Sequence, residues 1–402
     1  MKSIAFIDHN PVAGGIIRFG TNLAAAIRRI APGIRVTFFT TEINYLSNED
    51  LFTQYRDTFE VRILKTTRKT YTGSMFIDAT ILRLLGITRE WLLRNEIRRL
   101  TRDYDIVYFT NGHASQFIGV GPRSFSTFHD MLWKYQFGMP LFSSAYVSGL
   151  DSQMRKWFEH THVVVSTPFV RSEILRFFPD IGQQIDIVYL PNLARRIESD
   201  AKDDGRILRS LGIDRKYILY PSHLMPHKNH QNLFSAFHRL MQDPEFKDRY
   251  MLVITGSGTD HFRYGTAMPM GVRLSTEAAF DILGLGYLKN AEIDAVIRNA
   301  TLVISTSFYE AGSGPALDAW VNKVPVIISN IESHMDQLRF FGIECETFDP
   351  TEPGEISAKM AYALRNLDKL RGQSTAASAK FDEYTWEAVA AQYLDIFRKK
   401  AG

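Results

Sequence analysis

Glu310 and Asp318 bracket a run of small residues, Ala311-Gly312-Ser313-Gly314, which Pro315 follows directly. Carboxylates accept hydrogen bonds from sugar and ribose hydroxyls, and backbone amides little screened by side chains hold phosphate oxygens. Pro315 suits the first turn of a helix. Leu317, Trp320 and Val321 would pack that helix down and leave Asp318 off the apolar face, nearer the loop. The stretch therefore predicts an anion nest at Gly312, Ser313 and Gly314, flanked by two hydroxyl-binding acids. It also fits an ordinary strand–loop–helix corner with an acid at the positive end of the helix dipole.

A second cluster lies in "PSHLMPHKNHQNL", where "HKNH" opens a helical pattern. A lysine there is repelled by the helix dipole unless an anion lies between them, so Lys228 points toward a phosphate. The alternative is a solvated lysine among polar helix-start histidines. Near the N-terminus, Gly14 and Gly15 sit between a strand and a helix, where backbone can approach a ligand. The same pair also makes a plain tight turn. It is not a G-x-G-x-x-G fingerprint, which disfavours dinucleotide binding. His129, in "TFHD", stands at a strand end, either turned toward a ligand or satisfied in place.

These residues need strands and helices to place them. Ser3–Asp8, Arg35–Thr40, Phe59–Leu64, Asp105–Thr110, Ser124–His129, His162–Thr167 and Asp186–Pro191 read as strands with helical patterns among them. Ile16, Phe19, Leu23, Ile27 and Ile30 line one face of the first helix. Polar Asn192–Arg206 reads as a linker. The pattern restarts with strands at Lys216–Pro221, Tyr250–Gly256, Phe280–Gly286, Ala300–Thr306 and Val324–Ser329. The fold class is α/β, with two doubly wound, Rossmann-like domains. They span residues 1–195 and 205–384, and an amphipathic helix at 385–402 is expected to pack back on the first. Ligands of such sheets bind beyond the carboxyl ends of the strands, so a cleft between the domains is the expected site.

The chain has 402 residues, a net charge of +3 and a single cysteine, Cys345. That excludes an intrachain disulfide and a cysteine-cluster zinc site, and the mild charge does not argue for nucleic acid. The apolar run of "MKSIAFIDHN" is too short for a secretory signal, and no stretch reaches the length of a membrane span. A cytoplasmic protein is the expectation.

Longer stretches carry a family resemblance. "YEAGSGPALDAWVNKVPVIIS", "LVITGSG" and "GLGYLKNAEIDAVIRNATLVISTSFYE" are similar to the retaining nucleotide-sugar glycosyltransferases of the two-Rossmann-domain GT-B type, in the group related to glycogen synthases and bacterial mannosyltransferases. The resemblance covers most of the second domain strongly and the first loosely. It implies transfer of a hexose from a nucleoside-diphosphate sugar to a saccharide or lipid-linked saccharide, with retention and without a metal ion or other cofactor. It implies that Glu310 contacts the donor hexose, the amides of Gly312–Gly314 the sugar and phosphates, Asp318 the ribose and Lys228 the diphosphate. Leu288 would lie near the base, Gly14 and Gly15 near the diphosphate, and His129 near the reacting sugar and acceptor.

Two positions depart from the family. Asp318 stands where a glutamate is usual, and His223 where an arginine commonly lies five residues before the lysine. His227 is expected to compensate in part for the missing charge. These departures leave a second reading, a degenerate nucleotide-sugar-binding partner subunit. Asp103 and Asp105, in "DYD", enter a strand at its amino end and read as solvated rather than metal-binding. Arg94, Arg98 and Arg102 recur at helical spacing near Trp91, and Lys65–Phe76 is basic. Together they suit an anionic membrane surface, or equally a solvated helix face.

Overall fold

The computed structural model describes residues 1–9, 15–67, 88–121, 123–135, 143–181, 185–191, 201–263 and 281–401. Gly14 and much of the basic stretch after Lys65 lie outside them. The chain divides into two compact units. One comprises Met1–Met131, Phe142–Pro191 and Tyr384–Gly402, and the other Leu132–Leu141 and Asn192–Glu383.

In the first unit the described strands are β1 (Ser3–Asp8), β2 (Arg35–Thr40), β3 (Glu60–Ile63), β4 (Ile106–Phe109), β5 (Ser124–Phe128), β6 (His162–Val165) and β7 (Ile185–Ile187). They pair in parallel in the order β3-β2-β1-β4-β5-β6-β7. Every residue of β1 is buried, as expected of a parallel strand covered on both faces. Helix Gly15–Ile30 buries Ile17, Phe19, Leu23 and Ile27, whereas Ile30, at its last turn, is exposed. The C-terminal helix Trp386–Ala401 packs on it, with Trp386 5.8 Å from Phe19 between ring centres. Tyr393 penetrates further, and its hydroxyl meets that of Thr127 on β5 at 2.8 Å.

In the second unit the described strands are β8 (Lys216–Pro221), β9 (Tyr250–Thr255), β10 (Ile282–Gly284), β11 (Leu302–Ser305), β12 (Val326–Ser329) and β13 (Glu346–Phe348). Their order is β10-β9-β8-β11-β12-β13, again all parallel. Leu233, Phe237 and Leu240 of helix His230–Leu240 sink into a core with Ile218, Leu252 and Ile304 of the sheet.

In each sheet the winding reverses once, between β1 and β4 and between β8 and β11. Diverging loops leave a crevice at such a switch point, on the carboxyl side of the strands. Lys228 follows β8 and Glu310 follows β11, so the second unit places both at its switch point.

The structure revises two boundaries. Part of the expected linker is helical: helix Ala201–Leu211 begins inside it. Acids in its first turn favour the dipole, and buried Asp204 pairs with Arg298 at 2.7 Å. Leu132–Tyr135, expected in the first domain, groups with the second unit, where the Tyr135 ring lies 5.0 Å from that of Tyr309. Among the described residues no helix is long and apolar enough to cross a membrane.

Candidate functional site

β8 runs into the turn Pro226–Lys228, and Asn229 then takes a left-handed backbone, φ 59°, before helix His230–Leu240 begins. Lys228 thus precedes the helix rather than opening it. Several bonds clamp this turn to the loop after β11. The Phe308 N–H donates to the His227 carbonyl at 2.7 Å, and the Asn229 side chain donates to the Thr306 carbonyl at 3.0 Å. The Lys228 carbonyl accepts from the Tyr220 hydroxyl at 2.8 Å and from Thr306 Oγ1 at 3.2 Å.

The clamp brings two charges together. Lys228 Nζ donates to Glu310 Oε1 at 2.6 Å, with the side chains only 12% and 13% exposed. Ser307 Oγ donates to the same oxygen at 2.6 Å. Burial alone would raise the Glu310 carboxyl, but Lys228, His334 and these hydrogen bonds outweigh it and hold the carboxyl below its ordinary pKa. Oε1 is therefore committed twice, whereas Oε2 has no protein partner among the described residues.

The loop after Glu310 is committed as well. The Ser313 N–H donates to Gln337 Oε1 at 3.1 Å, and the Gly314 N–H to the Gly312 carbonyl at 3.1 Å. Ser313 Oγ caps helix Gly314–Val321 by accepting from the Ala316 N–H. The sequence led to an open nest at Gly312–Gly314. In this structure both amides are already bonded: Gln337, 24 residues on, reaches back to the Ser313 N–H, and the loop turns on itself to bond the Gly314 N–H to the Gly312 carbonyl. Asp318 lies half-buried on that helix, and Leu288 is half-buried after Gly286.

Residues 204–380 match the family model described as Glycosyl transferases group 1. That match lies within the second unit, Asn192–Glu383, and covers most of it. O-antigen chain mannosyltransferase B of Escherichia coli is 26% identical over 239 residues, 59% of this chain and 60% of that protein. The aligned region thus spans less than two thirds of that relative. Anabaena HepE in complex with UDP and glucose has a TM-score of 0.70 at 16% identity, over 98% of this chain and 99% of its own. WaaG, a glycosyltransferase involved in lipopolysaccharide biosynthesis, scores 0.66 at 14% identity, over 98% and 99%. At these identities the two structures establish the fold, two parallel-sheet α/β domains of the GT-B class.

The histidines of the second unit do not replace the absent arginine charge. His227 is lowered to about 3 by burial and then by Lys228. His223 is lowered by the same causes, crowded by neighbouring atoms although its surface is exposed. Both are neutral near pH 7, so the compensation expected of His227 does not hold. Burial is the larger cause, and the nearby Lys228 charge adds to it. Gly256 explains the placement of His223: with φ 121°, a Cβ on Gly256 would lie 2.5 Å from the His223 nitrogen.

Sequence reasoning missed Ser307, Gln337 and His334. Ser307 lies three residues before Glu310, a spacing from which a hydroxyl can reach a carboxylate. Gln337 and His334 sit on helix Glu332–Phe341, after the next strand, and nothing local signals their part. His334 is fully buried, with Nδ1 2.9 Å from the Ser329 carbonyl. Burial lowers its pKa against the opposing pull of Glu310.

In the first unit, Gly15 opens the helix after β1, and a Cβ there would meet nothing within 4 Å. His129 Nε2 lies 2.9 Å from the Thr110 carbonyl, and its ring meets Phe19 edge-on at 5.6 Å. Burial, opposed by that bond and by Asp130, lowers its pKa. Asp105 is not simply solvated, since its carboxylate accepts the Lys2 and Ser3 amides at the start of β1. Arg94 turns to the Ile118 carbonyl at 2.9 Å, which interrupts the arginine row, while Trp91 is 54% exposed. Among the described residues no group of three or more His, Cys, Asp or Glu is placed to hold a metal ion.

Proposed function

We propose that the protein is a retaining glycosyltransferase. It moves a hexose from a nucleoside-diphosphate sugar to a saccharide or lipid-linked saccharide, on the cytoplasmic side of a bacterial envelope. The observation that carries this reading is the Lys228–Glu310 contact at the switch point of a group 1 glycosyl transferase domain. The names of two similar proteins, one an O-antigen mannosyltransferase and one involved in lipopolysaccharide biosynthesis, support the envelope role.

In this reading the anomeric bond breaks toward an oxocarbenium-like state, and negative charge grows on the departing diphosphate. Lys228 and loop amides meet that charge in place of a metal ion, with His223 as a neutral hydrogen-bonding partner. Glu310 directs Oε2 at the hexose, and the acceptor attacks from the leaving-group face. Asp318 takes the ribose hydroxyls, Leu288 borders the base, Gly14 and Gly15 approach the diphosphate, and His129 orients the acceptor. Exposed Trp91, with Arg98 and Arg99 on the same helix, supports a peripheral contact with anionic lipid.

A thermal-shift panel of UDP, GDP and ADP and their sugars tests the donor. A nucleotide at 100 times its dissociation constant stabilises by about 2.7 kcal/mol, enough to detect. Stabilisation of wild type by one nucleotide, together with product formed from its sugar, is the expected result. Failure of every nucleotide to bind would reject the reading.

A further inference from the structure

Two donors assigned to the nucleotide sugar already have acceptors of their own. Lys228 Nζ holds Glu310 Oε1 at 2.6 Å, and the Ser313 N–H holds Gln337 Oε1 at 3.1 Å. Both acceptors come from loops or helices beyond neighbouring strands, β11 and β12. Gln337 is 4% exposed and Glu310 is one of two charges in a shielded pair, so neither contact is a loose surface encounter. A phosphate oxygen arriving at Lys228 meets a resident carboxylate, which repels it and competes for the ammonium. An oxygen arriving at the Ser313 amide meets a filled hydrogen bond.

We propose that Glu310 and Gln337 act as resident stand-ins for the ligand, so that diphosphate binding is an exchange in which Lys228 and the Ser313 amide trade internal acceptors for phosphate oxygens. This rests on the donor reading above and assigns Gln337 a place in it. The exchange keeps a buried ammonium and a buried amide satisfied while the site is empty, where leaving them bare would be costly. It also weakens binding of a nucleoside diphosphate that brings no sugar to re-engage Glu310. Free product is therefore released more readily than substrate.

The test measures UDP, GDP and ADP binding by calorimetry to wild type, Glu310→Gln and Gln337→Met. Methionine keeps the volume of glutamine and removes its oxygen. Each variant is expected to bind the favoured diphosphate about 3–10-fold tighter: Gln337→Met has no hydrogen bond to trade away, and Glu310→Gln offers the ammonium only a neutral acceptor and no charge to repel phosphate. Each should also melt lower when empty and gain more from the nucleotide. Glu310→Asp, which keeps the charge but shortens the reach, covers the case in which the glutamine variant does not fold and should also tighten binding. Equal or weaker binding in the variants, with wild type binding normally, would overturn the exchange and leave the donor reading standing. Absence of binding to every protein would overturn both.

Discussion

The side-chain amide of Asn229 reaches the carbonyl of Pro350 at 2.7 Å, across 121 residues of chain. The same amide serves the Thr306 carbonyl, and the backbone beneath it is left-handed. This residue therefore fixes where Lys228 leaves the turn. Asn229→Ala should cost about 2–4 kcal/mol, from two lost buried bonds and a strained φ. Asn229→Gly relieves the strain and should cost less. Urea unfolding of the two variants checks the order, and equal losses would show that the left-handed backbone is not what matters.

Lys228→Ala removes the charge that faces the leaving diphosphate. Turnover is expected to fall on the order of 10²–10³-fold, as when one preorganised donor is lost elsewhere. Steady-state rates with the nucleotide sugar found in the panel measure it. Near-normal turnover would remove Lys228 from the mechanism.

Acid should destabilise the protein through histidine. Burial and neighbouring charges lower His227 and His230 to about 3 from an ordinary 6.5. Between those values the unfolded chain takes up protons that the native state refuses, so stability falls as pH drops from about 6.5 toward 3. Each such histidine contributes up to about 1.4 kcal/mol per pH unit in that window. Melting temperature from pH 7 to 5 should fall steeply in wild type and less steeply in His230→Phe, whose ring can pack against Tyr220 and Phe234 as histidine does. Parallel slopes would refute the assignment to His230.

Gly256→Ala should destabilise by about 2–4 kcal/mol, because the methyl group collides with the His223 backbone at an unfavourable positive φ. Thermal melts of the variant provide the measurement. A loss below about 0.5 kcal/mol would mean that the two loops separate easily.

Periodicity and composition gave the alternation of strands and helices and strands β1 to β12, because each depends on a short stretch with its own pattern, whereas the three-residue edge strand β13 went unread. Glu310 and Lys228 stood out for similar reasons: an acid before a glycine-rich turn, and a cation placed against a helix dipole. What remained hidden depends on which loops meet. No local pattern announces that Gln337 closes over Ser313, or that Phe308 binds the His227 carbonyl. The expectation of an open amide nest failed for that reason. The expectation that His227 would supply part of the missing charge failed because a buried histidine, with a lysine beside it, stays neutral.

The helix Trp386–Ala401 carries Tyr393 into the core of the first unit, against Thr127 and Tyr108. A ribosome makes that helix only after the described strands of the second unit, β8 to β13, have been translated. The first sheet therefore waits until then with the face around Phe19 uncovered. Nascent chains stalled before Trp386 should be sensitive to protease in the N-terminal half and should be bound by chaperones that take up exposed aromatic surface.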